Sequence, residues 1–244
     1  MRNVVVTGGS RGLGLAMART LAASGYAVTA IARSESAELK AAAEEARAAG
    51  RGEIRFRAFD LGDIDGIATF VRHLRKELGP IHGLVNNAGI GTEGLLATMP
   101  NGDIEKLVRI ITTSPFVLTK YVVRQMMADG GGRIVNVSSI IATTGYSALS
   151  VYAATKASLV GFTKSLAREV GQLGITVNAV APGFVETEMT GSLGEAEKQR
   201  VAKRSALRRL AKPGDVADAV EFLLSDKARN ITGTVLTVDA GNTA

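Results

Sequence analysis

Cysteine and tryptophan are absent from this 244-residue chain, and histidine occurs only as His73 and His82. Without cysteine there is no disulfide framework, no thiolate nucleophile and no thiolate metal site, which fits a reducing compartment. The two histidines fall in ordinary helix and strand contexts, so no catalytic metal is expected. Aromatic residues make up 5% of the chain, too few to supply the stacking side chains that a net charge of +6 would need for specific nucleic-acid recognition. The basic residues are spread along the chain except in the short run AKRSALRRLAK, and a phosphate-bearing small molecule suits that charge better. Neither a membrane span nor a secretory leader is expected, because MRNVVVTGG passes straight into an apolar strand and a glycine turn. A soluble, cytoplasmic protein is the expectation.

What the chain does contain is alternation. Short apolar, β-rich runs (NVVVT, AVTAIA, EIRFRAFD, HGLVNNA, RIVNVSS, GITVNAVAP and VLTVD) are separated by helical stretches such as LGLAMARTLAAS, GIATFVRHLRKEL, IEKLVRIITTSPFVLTKYVVRQMMA and YAATKASLVGFTKSLAREV. Repeated β-α-β units imply an α/β fold, a doubly wound parallel sheet of about seven strands with helices on both faces. The apolar runs of strands such as NVVVT and AVTAIA are continuous, as central strands buried on both sides must be. No linker divides the sequence, so residues 1–244 are read as one domain with 46% hydrophobic residues to fill its core. The one long polar interruption gives a substrate flap over about 184–210.

TGGSRGLG follows the first strand and opens the first helix. There Gly8, Gly12 and Gly14 let the backbone bend tightly and let a pyrophosphate approach the helix N-terminus, the Rossmann-type signature of dinucleotide binding. Ser10, Arg11 and Leu13 complete the loop. A carboxylate at the end of the second strand would read an adenosine ribose diol and repel a 2′-phosphate. This strand instead ends in Ala32 and Arg33, with no acid before Glu35, and Arg11 lies in the loop itself. Two guanidiniums without a carboxylate favour NADP (NADPH) over NAD.

In SVYAATKASL, Tyr152 and Lys156 lie four residues apart, on one face of a helix. An ammonium beside a phenol favours phenolate and lowers the tyrosine pKa, giving a proton donor near neutral pH. A half-buried aromatic beside a solvated charge is the plain alternative for this pair taken alone.

TGGSRGLG, NNAG at 86–89, VSS at 137–139, YAATK at 152–156 and APGFVETEM at 181–189 occur in the order and spacing of the short-chain dehydrogenase/reductase family, which the chain resembles over essentially its whole length. Within that family, the stretches around GFTKSLAREVGQLGITVNAVAPGFVETEM and KPGDVADAVEFLLSDKARNITGTVLTVDAG look most like the 3-oxoacyl-acyl-carrier-protein reductases of fatty acid biosynthesis. The resemblance implies that Tyr152 is the general acid, that Lys156 lowers its pKa and holds the nicotinamide ribose, and that Ser139 orients the substrate carbonyl. Ser138 faces elsewhere, since strand side chains alternate. By the same resemblance Asp60 and Leu61 lie beside the adenine and Asn87, Ala88 and Gly89 line the adenosine side. Pro182, Gly183, Val185 and Thr187 cover the nicotinamide half, and Ile140, Ile141, Tyr146 and Phe184 are the candidate substrate-lining residues. Asp60 as a turn cap and Asn87 as sheet support are the structural alternatives.

The substrate so implied is a ketone or a 3-oxoacyl thioester reduced to a secondary alcohol. Free small ketones, steroids or polyols form the alternative class. A homo-oligomer, tetramer or dimer, is implied through the two long helices containing Leu107–Met127 and Tyr152–Val170. Two departures from the family pattern stand out. Where carrier-dependent relatives commonly hold basic residues, this chain reads ADGGGR and GQLG, with Gly130 and Leu173, so acyl-carrier protein is not expected to be a strongly preferred carrier. In RIITTSPF, Ile111 occupies the position of a family Asn that kinks its helix and holds a relay water through its main chain. That implies reduced activity or, alternatively, an impaired NADPH-binding protein.

Overall fold

The structure, a computed structural model, describes residues 1–91, 94–186 and 194–244. Seven parallel strands form one sheet in the order β3-β2-β1-β4-β5-β6-β7. They are β1 Asn3–Thr7, β2 Ala27–Ala32, β3 Glu53–Ala58, β4 Ile81–Asn86, β5 Gly132–Val137, β6 Ile175–Pro182 and β7 Val235–Val238. The helices are α1 Gly12–Ala23, α2 Ala37–Ala49, α3 Ile67–Leu78, α4 Asn101–Val108, α5 Ser114–Asp129, α6 Ile141–Thr144, α7 Ser150–Val170, α8 Glu195–Arg204 and α9 Pro213–Leu224. The strand order reverses between β1 and β4, the switch point at which open α/β sheets bind their ligands.

Both faces of the sheet are covered. In β1, Val4 and Val6 pack with Met17 and Leu21 of α1 and Val216 and Val220 of α9, while Val5 points the other way into Val71 and Leu74 of α3 and Leu118 and Val122 of α5. All three valines are fully buried, which is why the strand reads apolar without alternation from Val4 to Val6. Helix α3 shows the complementary pattern, burying Ile67, Val71, Leu74 and Leu78 at spacings of one turn. Each such side chain contributes about 1.5–3 kcal/mol through burial.

Across this apolar interior runs a polar line. Asn86 and Asn136 are register partners in β4 and β5, and Asn86 Nδ2 donates to Asn136 Oδ1 (2.8 Å) and to Thr119 Oγ1 of α5 (2.9 Å). Asn136 Nδ2 in turn donates to Thr163 Oγ1 of α7 (2.8 Å). Sheet and helices are thereby locked in one register, because an offset would strand buried amides without partners.

The structure departs from the expected elements at three places. β3, β4 and β5 each end two residues early, at Ala58, Asn86 and Val137, so that Phe59–Asp60, Asn87–Ala88 and Ser138–Ser139 begin the loops at the C-terminal edge. The continuous helix expected over IEKLVRIITTSPFVLTKYVVRQMMA is two helices, α4 and α5, joined by a π-helical turn, Arg109–Thr113. The flap leaves after Val185 and returns at Ala211, and these two residues form an isolated parallel bridge that pinches its base.

Candidate active site

The glycine loop sits at the end of β1. Gly8 N donates to Ile31 O (2.8 Å), and Gly8 and Gly12 have φ of +66° and +55°, the left-handed region that glycine adopts without strain. Gly14 is required for a different reason: a Cβ there would stand 2.1 Å from the carbonyl oxygen of Gly8. Helix α1 starts at Gly12 with no side-chain cap, so its first N–H groups face the loop without an intrahelical partner. Open space around Gly12 and the uncapped helix end together fit the pyrophosphate of a dinucleotide.

Neighbouring loops are tied to this one by hydrogen bonds. Thr7 Oγ1 accepts from the N–H of Asn87 (2.9 Å) and of Ala88 (3.0 Å), and Asn87 Nδ2 donates to the Thr7 carbonyl (2.8 Å). Asn87 therefore supports the loop. Asp60 likewise caps its own turn, accepting from Gly62 N at 2.8 Å, and Leu61 is buried in the core beside α3. Ser36, the N-cap of α2, donates to Ser10 O at 2.6 Å and fixes the segment that carries Arg33. Arg33 is exposed at the end of β2 and has no ion-pair or hydrogen-bond partner among the described residues.

Ser139, Tyr152 and Lys156 converge at the end of β5. The Ser139 hydroxyl lies near enough to the Tyr152 phenol to favour its ionised form. Ser139 Oγ accepts from Ile141 N at 3.2 Å, which leaves its proton to donate. Ser138 does face away, giving its hydroxyl to the Lys156 carbonyl at 2.9 Å. Lys156 is 4% exposed and its Nζ donates to the Val137 carbonyl at 2.7 Å.

The electrostatics correct one expectation. Burial raises the Tyr152 phenol above its ordinary value, and only the Ser139 hydroxyl pulls in the other direction. The ammonium of Lys156 is 5.8 Å from the ring centroid, aimed at a backbone carbonyl, and burial lowers its own pKa to about 8. Desolvation is the leading cause for both groups, and neither shift includes a contribution from the other.

Of the nicotinamide-side candidates, Pro182 ends β6 and accepts from Ile140 N at 3.0 Å, and a Cβ on Gly183 would stand 2.6 Å from the Asp239 Cβ. Val185 is buried in the flap base. Thr187 lies outside the described residues. Among the substrate-lining candidates, Tyr146 and Phe184 meet edge to face at 5.9 Å, but Ile140 and Ile141 are buried at 4% and 7% exposure. Ile140 is the N-cap of the short helix α6 and Ile141 its first residue, the two residues that follow Ser139.

Ile111 is buried against Leu107 and Leu159, in a cluster that also receives Tyr152. The π turn forms although the family Asn is missing. Pro115 offers a cause within this chain: it has no N–H and so cannot make the α-helical bond to the Ile111 carbonyl. Beneath the turn is a cavity of about 10 Å³ lined by Thr7, Asn86, Ile111, Ser114 and Leu159, among others. Asn86 Oδ1 and Ser114 Oγ are buried without partners among the described residues. A space of this size and polarity suits one water.

The family model for short chain dehydrogenase matches residues 2–198. The 3-oxoacyl-[acyl-carrier-protein] reductase FabG of Escherichia coli (strain K12) is 41% identical over 97% of this chain and 95% of its own length, and that of Staphylococcus aureus (strain Mu50) is 35% identical over 98% and 97%. A solved short chain dehydrogenase from Burkholderia cenocepacia, in complex with NADP, superposes with a TM-score of 0.92 at 35% identity and covers all of this chain and 98% of that one. The chain belongs to the short-chain dehydrogenase/reductase family, oxidoreductases built on this nicotinamide-binding fold. No helix among the described residues is long and apolar enough to cross a membrane.

Lys156 gives a testable consequence. Its folded pKa, about 8, lies below the ordinary lysine value, so the unfolded chain binds more protons between these limits and stability rises with pH across that window. Lys156→Met is expected to stabilise the cofactor-free protein by about 2–3 kcal/mol at pH 7 and to flatten the pH dependence between about 8 and 10, while removing about 10²-fold or more of any reductase activity. Urea denaturation at several pH values checks the first part and steady-state assay the second.

Proposed function

We propose that the protein is an NADPH-dependent reductase of 3-oxoacyl thioesters, acting through one catalytic unit, residues 1–244. The observation that carries this reading is the convergence of Ser139, Tyr152 and buried Lys156 at the end of β5, with Lys156 Nζ held by the Val137 carbonyl at 2.7 Å. NADPH, when bound along that loop, supplies the hydride for the carbonyl carbon. Ser139 has a free proton to hold the carbonyl oxygen beside Tyr152. A phenol held above its usual pKa keeps its own proton until negative charge develops on that oxygen, then gives it up. Lys156 would hold the ribose hydroxyls. The curated relatives named as 3-oxoacyl reductases support the substrate class.

The test is NADPH oxidation with 3-oxoacyl thioesters, diketones and simple ketones, with thioesters expected to give the highest kcat/KM. Comparable rates on polyols or simple ketones would replace this reading with the free-substrate one.

NADPH over NADH follows from exposed Arg33 at the end of a strand without a carboxylate, and the NADP-bound Burkholderia protein agrees. Arg33→Asp with Arg11→Ala is expected to weaken NADPH binding by about 10²-fold and make NADH the tighter ligand, because phosphate partners are lost and a repelling carboxylate is added. Equal wild-type affinities, read by fluorescence titration, would remove the claim.

Assembly through α5 and α7 is the proposed oligomeric mode. These helices present an outward groove of about 380 Å³ with Phe116 stacked on Phe162 at 4.2 Å and Met127 and Leu173 exposed at 47% and 40%. An apolar strip of this kind calls for a cover. Light scattering at micromolar concentration should show a dimer or tetramer, and a monomer would exclude it.

Ile111 favours a second reading, binding of NADPH with little turnover. The π turn, the cavity below it and the two partnerless oxygens support a relay that survives on main-chain groups at reduced rate. Ile111→Asn is expected to raise kcat by about 10–100-fold with NADPH affinity little changed, although it costs apolar packing. An unaltered kcat in stopped-flow and steady-state measurements would show that Ile111 does not limit proton transfer.

A further inference from the structure

Although basic residues occur along the whole chain, its net positive charge is concentrated in one segment. Residues 194–212 hold seven Lys or Arg against two Glu, so five of the six net positive charges of the whole chain lie in the returning half of the flap. Elsewhere, cations are often neutralised in place, as in Arg2–Asp226, Arg19–Glu45 and Arg75–Asp129. Among the described residues of this segment only Lys198 has an ion-pair partner, Glu195 at 3.2 Å. Arg200, Lys203 and Arg204 are exposed, share one face of α8 at spacings of three and four residues, and have no carboxylate partner among the described residues. Arg208 adds to the same patch. Its φ is +54°, in the left-handed region that side-chain-bearing residues avoid, and its guanidinium donates to the Lys203 carbonyl at the end of α8.

Such a patch works against folding through self-repulsion, so its accumulation in one segment calls for an anionic partner. Its position is set by the flap base. The segment leaves the sheet just after Phe184, which packs on Tyr146, and returns at Ala211 against Val185. The turn beyond α8 is fastened to the C-terminal turn through Ala206 N to Gly241 O (3.2 Å) and Leu207 N to Ala240 O (3.0 Å). At the end of β6, two residues before Phe184, Pro182 O accepts from the N–H of Ile140, the neighbour of Ser139.

We propose that this basic face of the flap binds the phosphates of coenzyme A and so selects coenzyme A thioesters as substrates. The assignment rests on the reductase reading above and names its carrier. Arginine forks match phosphate oxygens, and three cations within one turn of helix suit a compact phosphate cluster. A carrier protein would need apolar anchors in the contact as well, and Leu207 is the only exposed large apolar side chain among the described residues of this segment. At the turn after α5, where the chain could offer a second basic contact, Asp129 is an acid already paired with Arg75.

The test compares acetoacetyl-coenzyme A with the acetoacetyl thioester of N-acetylcysteamine, which has the same reacting group and no phosphate, in the wild type and in Arg200→Gln/Lys203→Gln/Arg204→Gln. Wild-type kcat/KM should favour the coenzyme A thioester by about 30-fold at low salt and lose most of that preference near 0.5 M NaCl. In the triple variant the preference should vanish, with the truncated thioester altered by no more than about twofold. Equal losses on both thioesters, a preference insensitive to salt, or a carrier-protein thioester favoured by about tenfold or more over coenzyme A would each overturn the proposal. Calorimetric titration of the NADPH-loaded protein with free coenzyme A reads the surface independently of turnover. Salt-sensitive binding that the variant lacks supports the site even where no thioester is reduced, an outcome that would count against the reductase reading alone; no binding to the wild type overturns the site.

Discussion

Everything in the site depends on how α7 is fastened to the sheet. Three buried polar contacts join them: Asn136 to Thr163, Ser138 to the Lys156 carbonyl, and Lys156 Nζ to the Val137 carbonyl. All the donors lie in a dry interior, where a lost partner costs more than the bond contributes, so the contacts act as a register lock more than as a source of stability. With α7 held in this way, Tyr152 can fall only against Ser139. A slide of one residue along the helix would rotate the phenol off the strand edge by about 100°.

The same closeness that positions these groups also desolvates them. Tyr152 and Lys156 are each pushed toward their neutral forms, the phenol upward and the ammonium down to about 8. A buried lysine is a cost to the fold that no apolar residue of similar length would impose, and its retention beside a phenol and a serine marks the place as chemical. The fold bears this cost because the surrounding layers, with Val5, Val135 and Val137 almost wholly buried, are densely apolar.

Helix geometry next to the site follows a related logic. The π turn at Arg109–Thr113 interrupts what would otherwise be a continuous rod, at the point where Ile111 meets Leu159 and the Tyr152 cluster. Pro115 removes a backbone donor there, and Ser114 and Asn86 leave oxygens turned into a water-sized space. The irregularity is therefore supported by residues other than the one that the family places at this position.

Much of this was legible in the sequence, because it rests on local chemistry. Strand and helix identities followed from continuous apolar runs against one-turn periodicity, and the glycine loop from a motif that fixes backbone shape whatever surrounds it. The spacing of Tyr152 and Lys156 placed them on one helical face. What the sequence could not decide were directions and environments. Whether an ammonium acts on a phenol depends on which carbonyl it is aimed at and how dry the wedge is, and here desolvation reversed the expected shift. Whether Ile140 and Ile141 line a pocket or fill a core depends on the turn of α6, and whether Asn87 reads a ligand or braces a loop depends on a neighbouring strand 80 residues away in sequence. The interruption of the α4–α5 rod and the Asn86–Asn136–Thr163 line belong to the same class. They are set by contacts between segments distant in sequence, and only the assembled tertiary structure brings those partners together.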